Sequence, residues 1–175
     1  MNSRTTPQPH HAIPAMVPPA NCFTILVIDD MLANRVLLSK VLKGAGYAVL
    51  EATNGVEALD MLCSQSLSPD LIVTDIEMPG MDGISLVEQV RYLEVAAARV
   101  PIIAASGNAD EGMRREALAA GVDLFMTKPF DIGLLRREIA TLIKTRHQTS
   151  GPRSQANVLS SPTNRFDSPR LREAN

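Results

Sequence analysis

The feature that most constrains this chain is an alternation, repeated five times between residues 22 and 146. Each repeat sets a short, β-branched apolar run beside a longer segment of helical spacing. Residues 23–28 read FTILVI and stop at Asp29 and Asp30. A helix is predicted next, with Val36, Leu37, Val41 and Leu42 on its inward face and Gly44 and Gly46 ending it. Residues 47–50 form a second strand and residues 55–63 a second helix, with Ala58, Leu59 and Leu62 inward. Further strands are expected at 70–74, 101–105 and 122–126, and helices at 84–91, 111–120 and 131–144. In the last helix Ile132, Leu135, Ile139, Leu142 and Ile143 make a stripe that reads as core packing. Strands separated by helices pair in parallel and are covered on both faces. The near-continuous apolar runs at 25–28 and 102–105 agree, because strands buried on both faces lose their alternation. The expected fold is a doubly wound α/β domain.

The flanks differ from this core. Residues 1–21 hold five Pro and no continuous apolar run, which reads as a disordered leader rather than a signal peptide or membrane span. Residues 147–175 are rich in Ser, Pro, Asn and Arg and read as a disordered tail. From Arg146 onward five Arg face only Asp167 and Glu173, while the first 145 positions carry a net −5. The tail is expected to be a solvated linker, with contact to an acidic partner as the alternative. The net charge of −2 gives no ground for expecting nucleic-acid or membrane binding. Cys22 and Cys63 fit no metal or redox spacing, so free thiols and a cytoplasmic location are expected. Aromatics are only 3% and Trp is absent, so the core must be aliphatic.

In an open α/β sheet ligands bind beyond the carboxyl ends of the strands, where strand order reverses. The strands here close on Asp29 and Asp30, on Asp75, on Ser106 and on Lys128. If the first and third strands are neighbours, three carboxylates converge. They repel one another unless a cation neutralises them. A hard divalent ion, Mg²⁺ with Mn²⁺ as a substitute, suits oxygen ligands and keeps waters for incoming phosphate oxygens. Lys128 adds a positive point charge and Ser106 a hydroxyl. That combination serves phosphoryl transfer, where positioning and charge neutralisation dominate.

Four segments carry a resemblance: VIDD at 27–30, DIEMPGMDG at 75–83, ASG at 105–107 and FMTKPF at 125–130. Together, in this order and spacing, they resemble the signature set of response-regulator receiver domains of two-component and phosphorelay signalling. The resemblance covers roughly residues 22–146 and implies the flavodoxin-like strand order 2-1-3-4-5. It implies that Asp75 accepts a phosphoryl group from a phosphohistidine. It implies Asp29, Asp30, Asp75 and the Glu77 carbonyl as Mg²⁺ ligands, and Lys128 as the phosphoryl-holding cation. Ser106 is similar to the switch hydroxyl and Phe125 to its coupled aromatic, with a cis bond between Lys128 and Pro129. Two residues depart from the common pattern: Gly107, where many relatives carry Ala, and Phe125, where Tyr is common. Glu77 also sets an acid two residues past the acceptor.

Asp82 is expected to cap the third helix and Gly83 to serve backbone geometry. Asn34 and Arg35 are read two ways, facing the site or a partner, or as a solvated helix start. His10 and His11 lie in the leader and His147 past the last helix, outside any phospho-donor bundle. The implied partners are a histidine kinase or phosphotransfer protein and a downstream protein target, with a phosphorylation-dependent homodimer left open. No turnover enzyme and no DNA-binding output unit is expected. The alternatives are a receiver module of a hybrid histidine kinase and a pseudo-receiver that is never phosphorylated. An aspartyl-phosphate phosphatase would need Asp-x-Asp after the first strand, and a flavin module a Ser/Thr/Gly-rich loop there.

Overall fold

A computed structural model of the chain describes residues 22–64, 68–93, 99–108 and 110–149. The expectations for the leader and for the tail beyond residue 149 lie outside these residues. The strands are β1 (Thr24–Ile28), β2 (Ala48–Ala52), β3 (Leu71–Asp75), β4 (Ile102–Ser106) and β5 (Leu124–Thr127). They alternate with α1 (Leu32–Gly44), α2 (Gly55–Cys63), α3 (Gly83–Tyr92), α4 (Glu111–Ala120) and α5 (Ile132–Thr149). All strand pairs are parallel and the order is 2-1-3-4-5, as the resemblance implied.

Successive side chains of a strand point to opposite faces, so each central strand feeds two cores. Leu26, Ile28, Ile72, Ile102 and Ala104 face α2, α3 and α4, meeting Leu62, Leu86, Val90 and Ala117. Ile25, Val27, Val73 and Ile103 face α1 and α5, meeting Leu38, Leu42, Leu135, Ile139 and Ile143. The helix changes face between α1 and α2 and again between α4 and α5. This opens a crevice at the carboxyl ends of β1 and β3.

Asn54, Asp82 and Asp110 begin their helices by accepting the backbone N–H three residues on, and Asp131 does the same for Leu134. Asp82 thus caps α3 as expected. At the far end of α4 the chain turns through Gly121 at φ 107°. There Arg91, from α3, donates to the Gly121 carbonyl and the Val100 carbonyl and pairs with Asp123 at 2.8 Å. The C-terminal end of α4 is therefore stitched to α3 and to the start of β4.

Two expectations need correction. In α1, Val36 and Leu37 are exposed, while Leu38 and Leu42 are buried. The reason is that Arg35 and Ser39 share the buried face and are satisfied there, Arg35 by the Asp29 and Asp30 carbonyls and Ser39 by Glu51. An apolar stripe cannot reveal a face that is half polar. The closing helix is also longer than expected: α5 continues through Thr149, past residue 147 where the tail was expected to begin. His147 holds this turn down by meeting Asp70 at 3.2 Å and packing its ring, tilted by 42°, against Phe23, and Arg146 donates to the Pro69 and Asp70 carbonyls.

Candidate functional site

The parallel registers align the strand ends, so residues far apart in sequence finish at one level. Asp29 follows β1, Asp75 ends β3, Ser106 ends β4 and Lys128 follows β5. Carboxylate oxygens of Asp29, Asp30 and Asp75 all lie within 4.8 Å of one another. Asp29 and Asp75 are buried while Asp30 is more open. Lys128 crosses from the β5 side, its Nζ 2.7 Å from Asp75 Oδ2 and 3.1 Å from Asp29 Oδ2.

The carboxylates of Asp29 and Asp75 are each held on their other side as well. Asp29 Oδ1 accepts from the Met31 N–H and from Asn34 Nδ2. Arg35 fixes the chain beneath by donating to the carbonyls of Asp29 and Asp30. Asn34 therefore faces the site, and Arg35 supports it from the buried side of α1 rather than lying in a solvated helix start. Asp75 Oδ1 accepts from the Glu77 N–H at 3.2 Å. The role of Gly83 is also concrete. Its N–H donates to the Ile76 carbonyl, and a Cβ there would collide with the Asp75 carbonyl and the Ile76 backbone. α3 can begin against the end of β3 only without a side chain at this position.

Burial pushes the Asp75 carboxyl up, and the nearby Asp29 charge adds to this, against the lowering effect of Lys128 and the Glu77 N–H. Burial would lower the Lys128 ammonium, but its contacts with Asp75 and Asp29 outweigh that and raise it. The two shifts look contradictory for one ion pair, yet both follow from geometry. Lys128 is shared between two carboxylates, whereas Asp75 has half of one cation and an anionic neighbour. The trio carries more negative charge than Lys128 cancels, and an all-oxygen donor set of this kind fits a hard divalent cation.

Ser106 is fully buried and its hydroxyl bonds the Asn108 carbonyl at 3.1 Å and the Met113 sulfur at 3.2 Å, rather than Asp75. Phe125 is buried in the core on the α4 side of the sheet. The Lys128–Pro129 bond is cis, as expected. One contact was not foreseen in the sequence: the Glu77 side chain crosses to β4, its Oε2 accepting from the Gly107 N–H at 2.8 Å. In the sequence only the position of Glu77, two residues past Asp75, hinted at a role.

Residues 25–140 match the profile of the response regulator receiver domain family. The sporulation initiation phosphotransferase F of Bacillus subtilis is 37% identical over 112 residues, which are 64% of this chain and 86% of that protein. The sensor histidine kinase CheAY of Helicobacter pylori is 35% identical over 122 residues, 70% of this chain but only 15% of the kinase. The chain therefore spans a small part of its kinase relatives. Among solved structures, the receiver domain of the Pseudomonas aeruginosa sensor histidine kinase PA1611, with a magnesium ion coordinated in its active-site cleft, is 31% identical at a TM-score of 0.63. That likeness covers 70% of this chain and 98% of the receiver. With fold, strand-end acids and profile in agreement, the chain belongs to the response regulator receiver domain family of two-component and phosphorelay signalling.

Proposed function

We propose that Asp75 is the phospho-acceptor, and that residues 22–149 act as a receiver whose phosphorylation alters a protein-interaction surface. The observation that carries this is the convergence of Asp29, Asp30 and Asp75 within 4.8 Å, with Lys128 bridging Asp29 and Asp75. A carboxylate oxygen of Asp75 attacks the phosphorus of a phosphohistidine on a kinase or phosphotransfer protein. The P–N bond breaks as the P–O bond forms, and the imidazole leaves on the donor. Lys128 is placed to follow the charge onto the phosphoryl oxygens, and the Glu77 N–H holds the acceptor carboxylate in position. Asp29, Asp30, Asp75 and the Glu77 carbonyl would hold Mg²⁺, which when bound supplies neutralisation of the phosphoryl and carboxylate charge.

Ser106 and Phe125 are the switch pair in this reading. The hydroxyl would leave Asn108 and Met113 for a phosphoryl oxygen, favouring one of two loop arrangements. The readout face includes a groove of about 370 Å³ along β5 and α5 lined by Phe125, Met126, Pro129, Phe130 and Leu134. A partner protein of that face is the downstream target. Among the described residues no helix is long and apolar enough to cross a membrane.

The test is intact-mass measurement after incubation with Mg²⁺ and a small acyl phosphate or a phosphorylated kinase. One phosphoryl adduct is expected on the native chain and none on Asp75→Asn. An adduct that persists in Asp75→Asn, or its absence from the native chain with every donor, overturns the assignment.

A further inference from the structure

We propose that the Glu77 carboxylate is an internal anion that occupies the Gly107 amide until the phosphoryl group displaces it, so that this side chain sets how readily Asp75 is phosphorylated. The inference rests on Asp75 being the phospho-acceptor. Asp75 pairs with Ala105 across β3 and β4, which puts the Gly107 amide two residues past the acceptor's own partner, at the rim of the site. That amide donates to Glu77 Oε2 at 2.8 Å, a short bond to a charged acceptor. Residue 77 is thus bonded twice: its N–H holds Asp75 Oδ1 and its side chain holds the β4–α4 loop. An acceptor site whose loop donor already carries a carboxylate is partly filled.

The two residues are in direct contact. A Cβ on Gly107 would stand 3.2 Å from Glu77 Oε2, so the carboxylate would have to give way by a few tenths of an ångström and its bond to the amide would be disturbed. The two local peculiarities of the sequence, an acid at 77 and a glycine at 107, are one device. Glu77 is exposed, and its side chain can swing into solvent without opening the core. A phosphoryl group on Asp75 brings about −1.5 to −2 charges next to it, which repel the carboxylate and compete for the same N–H. The loop then loses one of the bonds that hold it. Others are made at Ser106, the preceding residue, whose hydroxyl meets Asn108 and the Met113 sulfur of α4 and whose carbonyl accepts from the Lys128 N–H. Displacing Glu77 therefore loosens the segment on which the switch hydroxyl sits.

The experiment compares the native chain with Glu77→Gln, Glu77→Ala, Gly107→Ala and the Glu77→Ala/Gly107→Ala double variant. The initial rate of Asp75 phosphorylation by a small acyl phosphate with Mg²⁺ is read by intact mass. Binding of beryllofluoride with Mg²⁺, followed by amide NMR, gives the equilibrium counterpart. Glu77→Ala is expected to raise both rate and affinity, roughly three- to tenfold for the loss of one charge-assisted contact. Glu77→Gln, which keeps the bond and loses the charge, should fall between. Gly107→Ala should raise both in the native background and add nothing in the Glu77→Ala background. That non-additivity marks a direct pairing, which a general structural role would not produce. Rates and affinities unchanged or lowered in Glu77→Ala, or a Gly107→Ala effect equal in both backgrounds, overturn the proposal. If Glu77→Ala does not fold by circular dichroism, Glu77→Gln and Gly107→Ala carry the same comparison. A native chain that takes no phosphoryl group from any donor removes the acceptor assignment and this inference together. A phosphorylated native chain with unresponsive variants removes this inference alone.

Discussion

Replacing Lys128 by Met keeps the length of the side chain and deletes the cation between Asp29 and Asp75. At an effective dielectric of about 20, the contact at 2.7 Å corresponds to about 6 kcal/mol of attraction and that at 3.1 Å to about 5 kcal/mol. Against this stands the desolvation of the ammonium, several kcal/mol for a buried ion. Breaking a buried pair by removing one partner costs about 3–5 kcal/mol. Lys128 is 23% exposed, so water screens part of that, and a loss of about 2–3 kcal/mol is expected without divalent ions. The variant also frees the carboxylates from a competitor. If Mg²⁺ affinity rises tenfold, saturating Mg²⁺ returns about 1.4 kcal/mol more to the variant than to the native chain. The assay is urea unfolding at neutral pH in EDTA and in MgCl₂, followed by far-UV circular dichroism because the chain has no Trp. Equal stability of the two chains in EDTA, or equal stabilisation of both by Mg²⁺, would refute the account of Lys128 as the site's resident cation.

Asp75→Asn should be more stable than the native chain at neutral pH in EDTA. Burial raises the Asp75 carboxyl in the folded state, so its contribution is present below its ordinary value and is lost as pH rises through the raised one. The advantage of Asn should therefore shrink as unfolding is measured at progressively lower pH, and an advantage that grows on acidification contradicts this sign. Gly83→Ala should cost at least about 2 kcal/mol, because the new Cβ meets backbone that cannot give way, and should also slow phosphorylation by displacing the Asp75 carbonyl. Urea unfolding and the intact-mass assay read the two effects, and an unchanged variant rules out the close approach of α3. Ile139→Ala, at a fully buried position of α5, should cost about 2–5 kcal/mol while leaving the acceptor chemistry of the folded fraction intact.

The site was legible in the sequence because a parallel sheet brings all its strand ends to one edge, so the residues closing the apolar runs had to be neighbours. Asp29, Asp75, Ser106 and Lys128 are found where that reasoning put them. Strand limits drifted by one or two residues, most at β2 and β5, where the chain stays extended to Ala52 and turns into the sheet only at Leu124. What the sequence hid was polar burial. Arg35 belongs to the inward face of α1 only because two backbone carbonyls at the end of β1 await it, and no spacing rule announces an acceptor on another element. The same holds for His147, whose partner Asp70 lies 77 residues away, and for Glu77 and Gly107, separated by 30. Such pairs depend on side-chain reach across loops, to which apolar periodicity is blind.

Arg91 gives α4 a mechanical asymmetry. Its guanidinium fastens the Gly121 end, while the opposite end starts at the Asp110 cap, close to the loop that carries Ser106 and Gly107. A helix secured at one end and driven at the other behaves as a lever with its fulcrum at the fastened end. A small displacement of the loop then becomes a tilt, greatest at the first turn of α4 and least beside Gly121. The surface that a partner would find changed is in that case the leading turn, around Glu111 to Arg114, while the trailing turn keeps its place.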